Sequence, residues 1–131
     1  MLAQFPAVSV TGPRQTGKST LLLHALPGYA YVTLDDPLSR RQALDDPELL
    51  LDQAGERVII DEIQYAPSLL PYLKRRIDAR RGERGRFALT GSQQFALMKG
   101  LGETLAGRIG LLELPPFGLA EAARAAKPRS A

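Results

Sequence analysis

Residues 10–20 read VTGPRQTGKST, in which Gly12 is followed after four residues by Gly17, Lys18 and Ser19. A polyphosphate needs many hydrogen-bond donors and little side-chain bulk. Glycines at 12 and 17 let the backbone turn so that successive N–H groups face the phosphates. A helix opening near Lys18 adds the positive end of its dipole. Lys18 brings a mobile charge to the outer phosphates, and Ser19 brings a hydroxyl for Mg²⁺. The candidate cradle is therefore Gly12, Pro13, Arg14, Gln15, Thr16, Gly17, Lys18, Ser19 and Thr20, with the Arg14 side chain pointing away from the phosphates. In a chain with 12 glycines, chance writes this pattern on the order of a few times in a thousand. The alternative is a structural glycine turn that happens to carry a lysine.

A phosphate cradle needs help with the metal and with the attacking water. VIIDE at 58–62 offers both. Asp61 leaves a buried strand and is placed to hold Mg²⁺ through water. Glu62 follows directly and is placed to polarise the water. An acidic pair that merely ends a strand is the competing reading. LTGSQ at 89–93 ends another strand, where Ser92, Thr90 or Gln93 would reach toward a γ-phosphate. An N-cap serine in a turn explains the same residues. Arg108, in LAGRIG, is the candidate for an arginine that stabilises developing charge, in cis or from a neighbouring subunit. A surface residue opening a strand is its alternative. His24 is the single histidine and reads as a solvent-edge residue of a leucine-rich helix.

These residues need elements to hold them. AVSVT at 7–11 is a short apolar run ending at glycine, hence a buried strand. STLLLHAL at 19–26 reads as a helix stopped by Pro27-Gly28. YAYVTL at 29–34 is aromatic and β-branched, hence a strand. Asp36-Pro37 and Asp46-Pro47 each set an N-cap before a proline shaped for the first helical position, so helices are expected over 37–44 and 47–53. RVIID at 57–61 is a strand. A helix over 67–80 has Leu69, Leu70, Leu73 and Ile77 on one face, and Pro71 falls in its first turn, where a missing N–H is tolerated. RFALT at 86–90 is a strand, 95–101 looks helical, and RIGLLEL at 108–114 is the last strand. Five strands alternating with helices indicate an α/β three-layer sandwich with a mainly parallel sheet. Ligands of such sheets sit at the carboxyl ends of the strands. Gly12, Asp61, Glu62, Thr90 and Ser92 all fall there.

Bulk properties set limits on this reading. The chain has 131 residues, 44% of them hydrophobic and 24% charged, which suits one globular domain. Residues 1–119 form the expected core, and 120–131 (EAARAAKPRSA and the residue before it) form an expected disordered tail. Cysteine is absent, which excludes disulfides and thiolate metal sites. No apolar run approaches the roughly 20 residues of a membrane span. MLAQFPAVSV lacks the basic start of a signal peptide, so a cytoplasmic location is expected. Net charge is +3. Lys74, Arg75, Arg76, Arg80, Arg81, Arg84 and Arg86 crowd one stretch against Asp78 and Glu83. Such a cluster is either a solvated helix face or a contact for nucleic acid. It holds no aromatic residue before Phe87, so base stacking is not supported.

GPRQTGKST, VIIDEIQ, ALTGSQ and LAGRIGLLEL, in this order, resemble the bacterial and archaeal AAA-like ATPases of AAA domain family fourteen. The likeness runs from about Val8 to Leu119. The glycine-lysine motif is generic, whereas DEIQ, LAGR and the LDDP after the second strand are more specific. The resemblance implies a P-loop NTPase with strand order 5-1-4-3-2, and binding and hydrolysis of ATP with Mg²⁺. By position it implies Lys18 as the phosphate lysine, Ser19 and Asp61 on the metal side, and Glu62 as the catalytic glutamate. Ser92 falls at the polar sensor position and Arg108 at the arginine after the last helix, where it would promote self-association as a finger. Relatives usually have a segment before the first strand that helps form the base pocket, and continue into a nuclease-like domain of unknown function. Here the first strand begins almost at Met1 and little follows the last one, so a truncated form of a larger ATPase is expected. The competing functions are a non-catalytic nucleotide- or nucleic-acid-binding module and a small-molecule kinase. The adjacent Asp61 and Glu62 suit water activation better than transfer to another acceptor.

Overall fold

Short apolar runs with residues buried on both sides are the mark of parallel strands covered by helices, and the chain builds its sheet from them. The computed structural model describes residues 5–12, 17–80, 82–92, 99–100 and 103–113. Strand β1 (Ala7–Thr11) is followed by helix α1 (Lys18–Ala25) and strand β2 (Ala30–Thr33). Helices α2 (Pro37–Asp45) and α3 (Pro47–Ala54) lead to β3 (Val58–Asp61). Helix α4 (Leu70–Ala79), β4 (Phe87–Gly91) and β5 (Ile109–Glu113) complete the order. The strands lie in the order β2-β3-β4-β1-β5, which is the expected 5-1-4-3-2 read from the other edge. Every pairing is parallel.

The period of two along each strand divides the core. Val58 and Ile60 of β3, Phe87 and Leu89 of β4, and Ala7 of β1 face one side. There they meet Ala43 of α2, Leu50 and Leu51 of α3, and Leu70, Leu73 and Ile77 of α4. Ile59, Ala88, Val8 and Val10 face the other side and pack on Leu22 and Leu26, at the end of α1. The sheet is thus the middle of three layers, as expected.

The local signals hold at the helix starts. The Asp36 carboxylate accepts from the Ser39 N–H at 3.1 Å, and that of Asp46 accepts from the Leu49 N–H at 3.2 Å. One boundary differs. The expected helix over 67–80 begins as a 3₁₀ turn at Pro67–Leu69, and α4 proper starts at Leu70. Pro71 has no N–H to give the Pro67 carbonyl, so this turn closes by shorter bonds, such as Leu69 N–H to the Ala66 carbonyl at 3.1 Å. Most of the expected helix over 95–101, and the 120–131 tail, lie outside the described residues. Among the described residues no helix is long and apolar enough to cross a membrane.

Candidate active site

Parallel pairing brings the carboxyl ends of β1, β3 and β4 side by side. The Gly12 N–H donates to the Gly91 carbonyl at 3.2 Å, tying the end of β1 to the end of β4. Gly17 stands at the N-cap of α1 with φ 80°, ψ 24°, a left-handed conformation that suits glycine. Lys18, Ser19 and Thr20 therefore form the first turn of α1, where the helix dipole favours an anion. Pro13, Arg14, Gln15 and Thr16 lie outside the described residues.

Gly17, Lys18, Ser19, Thr20, Asp35, Asp61 and Glu62 line one open cavity of about 330 Å³. The Lys18 side chain is buried and its ammonium donates to the Gly12 carbonyl at 2.6 Å. A buried ammonium is costly unless it has partners, and here it is folded back onto the residue that follows β1.

Asp61 is 8% exposed, and three hydroxyls hold its carboxylate. Thr90 donates to Oδ1. Tyr31 donates to Oδ2 at 2.7 Å and Thr33 to the same atom at 3.1 Å. The register Thr33↔Asp61 between β2 and β3 places the second pair of donors. Burial, and then the neighbouring carboxylate of Asp61, push the Tyr31 phenol up to about 12. It therefore keeps its proton and stays a donor across the whole physiological range.

Glu62 has φ 62°, ψ 51°, and it alone among the described non-glycine residues has positive φ. A side chain held there costs about 1–2 kcal/mol. The Glu62 N–H donates to the Thr90 hydroxyl at 2.9 Å, which fixes the turn. Gln64 then joins two candidates. Its amide Nε2 donates to Glu62 Oε2 at 3.0 Å, and its Oε1 accepts from the Ser92 N–H at 3.2 Å. The Ser92 hydroxyl is buried and has no hydrogen-bond partner among the described residues.

The structure thus gathers Lys18, Ser19, Thr20, Asp61 and Glu62 around one cavity and places Ser92 beside Glu62 through Gln64. It does not bring Arg108 to them. Arg108 precedes β5 at the opposite edge of the sheet, since Ile109 pairs with Ala7 at the start of β1. The four steps from Ala7 to Thr11 put about 13 Å of strand between the two edges. Arg108 engages Asp78, at 2.7 Å from Nε and 3.3 Å from Nη2, and this hydrogen-bonded pairing raises its pKa further. The expectation of a cis arginine at the γ-phosphate therefore has no geometric support. Gln93 lies outside the described residues, and His24 is exposed in the last turn of α1.

Sequence reasoning missed Tyr31, Thr33 and Gln64. The signal for the first two was the alternation within YAYVTL, which puts positions 31 and 33 on one face at the strand end. It becomes informative only with the adjacency of β2 and β3 and their register.

Three arginines of the basic stretch at 74–86 are engaged by acidic side chains of α3, the residues after it and Glu83. Arg76 meets Asp52 at 2.7 Å and Glu48 at 3.6 Å, while Arg80 meets Glu56 at 2.9 Å and Glu83 at 3.6 Å. Arg86 is buried, donates to the Arg76 carbonyl at 2.7 Å and lies 3.4 Å from Glu83. Such pairs spend on acidic side chains the charge that a nucleic-acid surface would present.

The family model described as an AAA domain matches residues 4–123. An uncharacterized protein of Mycobacterium tuberculosis is 37% identical over 115 residues, covering 86% of this chain and 26% of that protein. An uncharacterized protein of Mycobacterium bovis matches to the same extent. The chain thus spans about a quarter of the length of these relatives. With its five-stranded parallel sheet, its α/β fold of the P-loop NTPase kind and a family match over nearly all its residues, the chain belongs to AAA domain family fourteen.

Proposed function

We propose that this chain is an ATP-binding domain that hydrolyses ATP with Mg²⁺. The observation that carries the proposal is the convergence of Lys18 and Ser19, from α1, with Asp61 and Glu62, from the end of β3, on one cavity. The Ser19 hydroxyl and the Asp61 carboxylate are hard oxygen donors that suit Mg²⁺, which keeps several waters and relies on few protein ligands. Bound there, the ion would neutralise charge on the β- and γ-phosphates. The backbone N–H groups at the Gly17 to Thr20 start of α1 cradle the phosphates. Lys18 swings from the Gly12 carbonyl to the phosphate oxygens. Glu62 accepts a hydrogen bond from the attacking water and polarises it. Ser92, whose hydroxyl has no hydrogen-bond partner among the described residues, offers a donor at the γ-phosphate. The engaged arginines of the 74–86 stretch give no comparable support to a nucleic-acid-binding role.

The test is binding of a fluorescent ATP analogue with Mg²⁺ to the native chain and to Lys18→Ala. The variant is expected to bind at least about tenfold more weakly, a loss of about 1.4 kcal/mol. Its thermal midpoint should not fall, because removing a buried ammonium removes a desolvation cost as well as a hydrogen bond. A folded native chain that fails to bind, or equal affinities for the two, would refute the proposal.

A further inference from the structure

Tyr31 is placed unlike an ordinary strand tyrosine. It lies on the edge strand β2 and is 42% exposed. It belongs to neither core cluster, although its neighbours Tyr29, Ala30 and Val32 pack against one or the other. A half-exposed phenol has water available to it, and holding it inward costs rotamer freedom. Its hydroxyl nevertheless turns to Asp61 Oδ2 at 2.7 Å. Ser19 of α1 and Asp61 of β3 line the same cavity, and Tyr31 holds the Asp61 carboxylate there from β2.

We propose that Tyr31 is the positioning residue of the metal side of this site: its hydroxyl fixes the Asp61 carboxylate in the arrangement that a divalent cation meets. The proposal rests on the ATP-site reading above. Partners that orient metal-side carboxylates act through the rotamer they impose, and losing one typically weakens metal binding 10- to 100-fold. Thr90 holds Oδ1 from β4, and Thr33 holds Oδ2 at 3.1 Å, a longer contact than the 2.7 Å of the phenol. Thr33 and Thr90 do keep the carboxylate satisfied when the phenol is removed, so Tyr31→Phe should leave the fold intact. Phe also preserves the ring and its suitability for a strand.

The experiment titrates Mg²⁺ into the protein with a fluorescent ATP analogue, for the native chain and Tyr31→Phe, and repeats nucleotide binding in EDTA. Tyr31→Phe is expected to need about tenfold more Mg²⁺ for half of the metal-dependent change. Its affinity in EDTA and its thermal midpoint should match the native protein. An unchanged or lower Mg²⁺ requirement would overturn the role of Tyr31 while leaving the ATP site standing. An equal loss in EDTA would also overturn it, because the tyrosine would then act on the nucleotide or the fold. Native protein whose nucleotide binding ignores Mg²⁺ would sink the ATP-site reading itself, and this role with it.

Discussion

Glu62→Gln is expected to lower ATP turnover at least about 100-fold while nucleotide affinity stays within about twofold of native. Removing a positioned general base typically costs 10²- to 10⁴-fold, about 2.7–5.5 kcal/mol of transition-state stabilisation. Gln has the same shape as Glu, and its amide oxygen can still accept from Gln64 Nε2, now at 3.0 Å. The turn made by the Glu62 N–H and the Thr90 hydroxyl involves only backbone at position 62 and is untouched. What disappears is the negative charge that attracts a proton from water. Steady-state phosphate release, set against equilibrium binding of the ATP analogue, separates the two effects. Equal turnover in the variant would remove Glu62 from the chemistry.

The left-handed backbone at Glu62 adds a second arm to this experiment. Glu62→Gly relieves a conformation with φ 62° that is costly for any side chain. It should therefore raise or hold the thermal midpoint while abolishing turnover. Strain kept at a position where glycine would sit comfortably is the stability–activity trade-off expected of a working site. A variant that is both less stable and inactive would mean that the side chain holds the turn together.

Phe87→Ala is expected to destabilise the domain by about 3–5 kcal/mol, a large share of the 5–15 kcal/mol typical of whole domains. Phe87 is 1% exposed and opens β4 in register with Ala7 of β1 and Val58 of β3. Its ring fills the layer between the sheet and the helices on its α4 side, and the Arg86 guanidinium lies 4.9 Å from its centroid. Truncation leaves a cavity at the centre of the sheet, where neighbours on two strands cannot collapse to fill it. Urea unfolding followed by circular dichroism measures the loss. Leu38→Ala, at a residue 78% exposed, should stay within about 0.5 kcal/mol and serves as the control. A loss below about 1 kcal/mol for Phe87→Ala would contradict the packing described.

Much of the framework was legible from local signals. The runs AVSVT and VIID become β1 and β3, and each Asp-Pro pair caps the helix it announced. These outcomes depend on near neighbours in the chain: a carboxylate three residues from the N–H it satisfies, or an apolar run too short for a helix and bounded by a turn. The motif residues were legible for the same reason, because Gly17, Lys18 and Ser19 share one helical turn and Asp61 and Glu62 are adjacent.

Relations between segments were not legible in this way. Tyr31 and Asp61 are 30 residues apart, and only the parallel register of β2 on β3 makes the phenol a donor to that carboxylate. Gln64 lies two residues from Glu62, yet its link to Ser92 requires β3 and β4 to end side by side. Arg108 illustrates the converse. Its residue type and its place after a loop suited a phosphate partner, but pairing of β5 with β1 fixes it at the far edge of the sheet, against Asp78. Residue chemistry and short spacing decided by themselves which groups are proposed for a phosphate, a metal and a water. Strand order and register, which arise from burying both faces of one sheet at once, decided which of those groups meet.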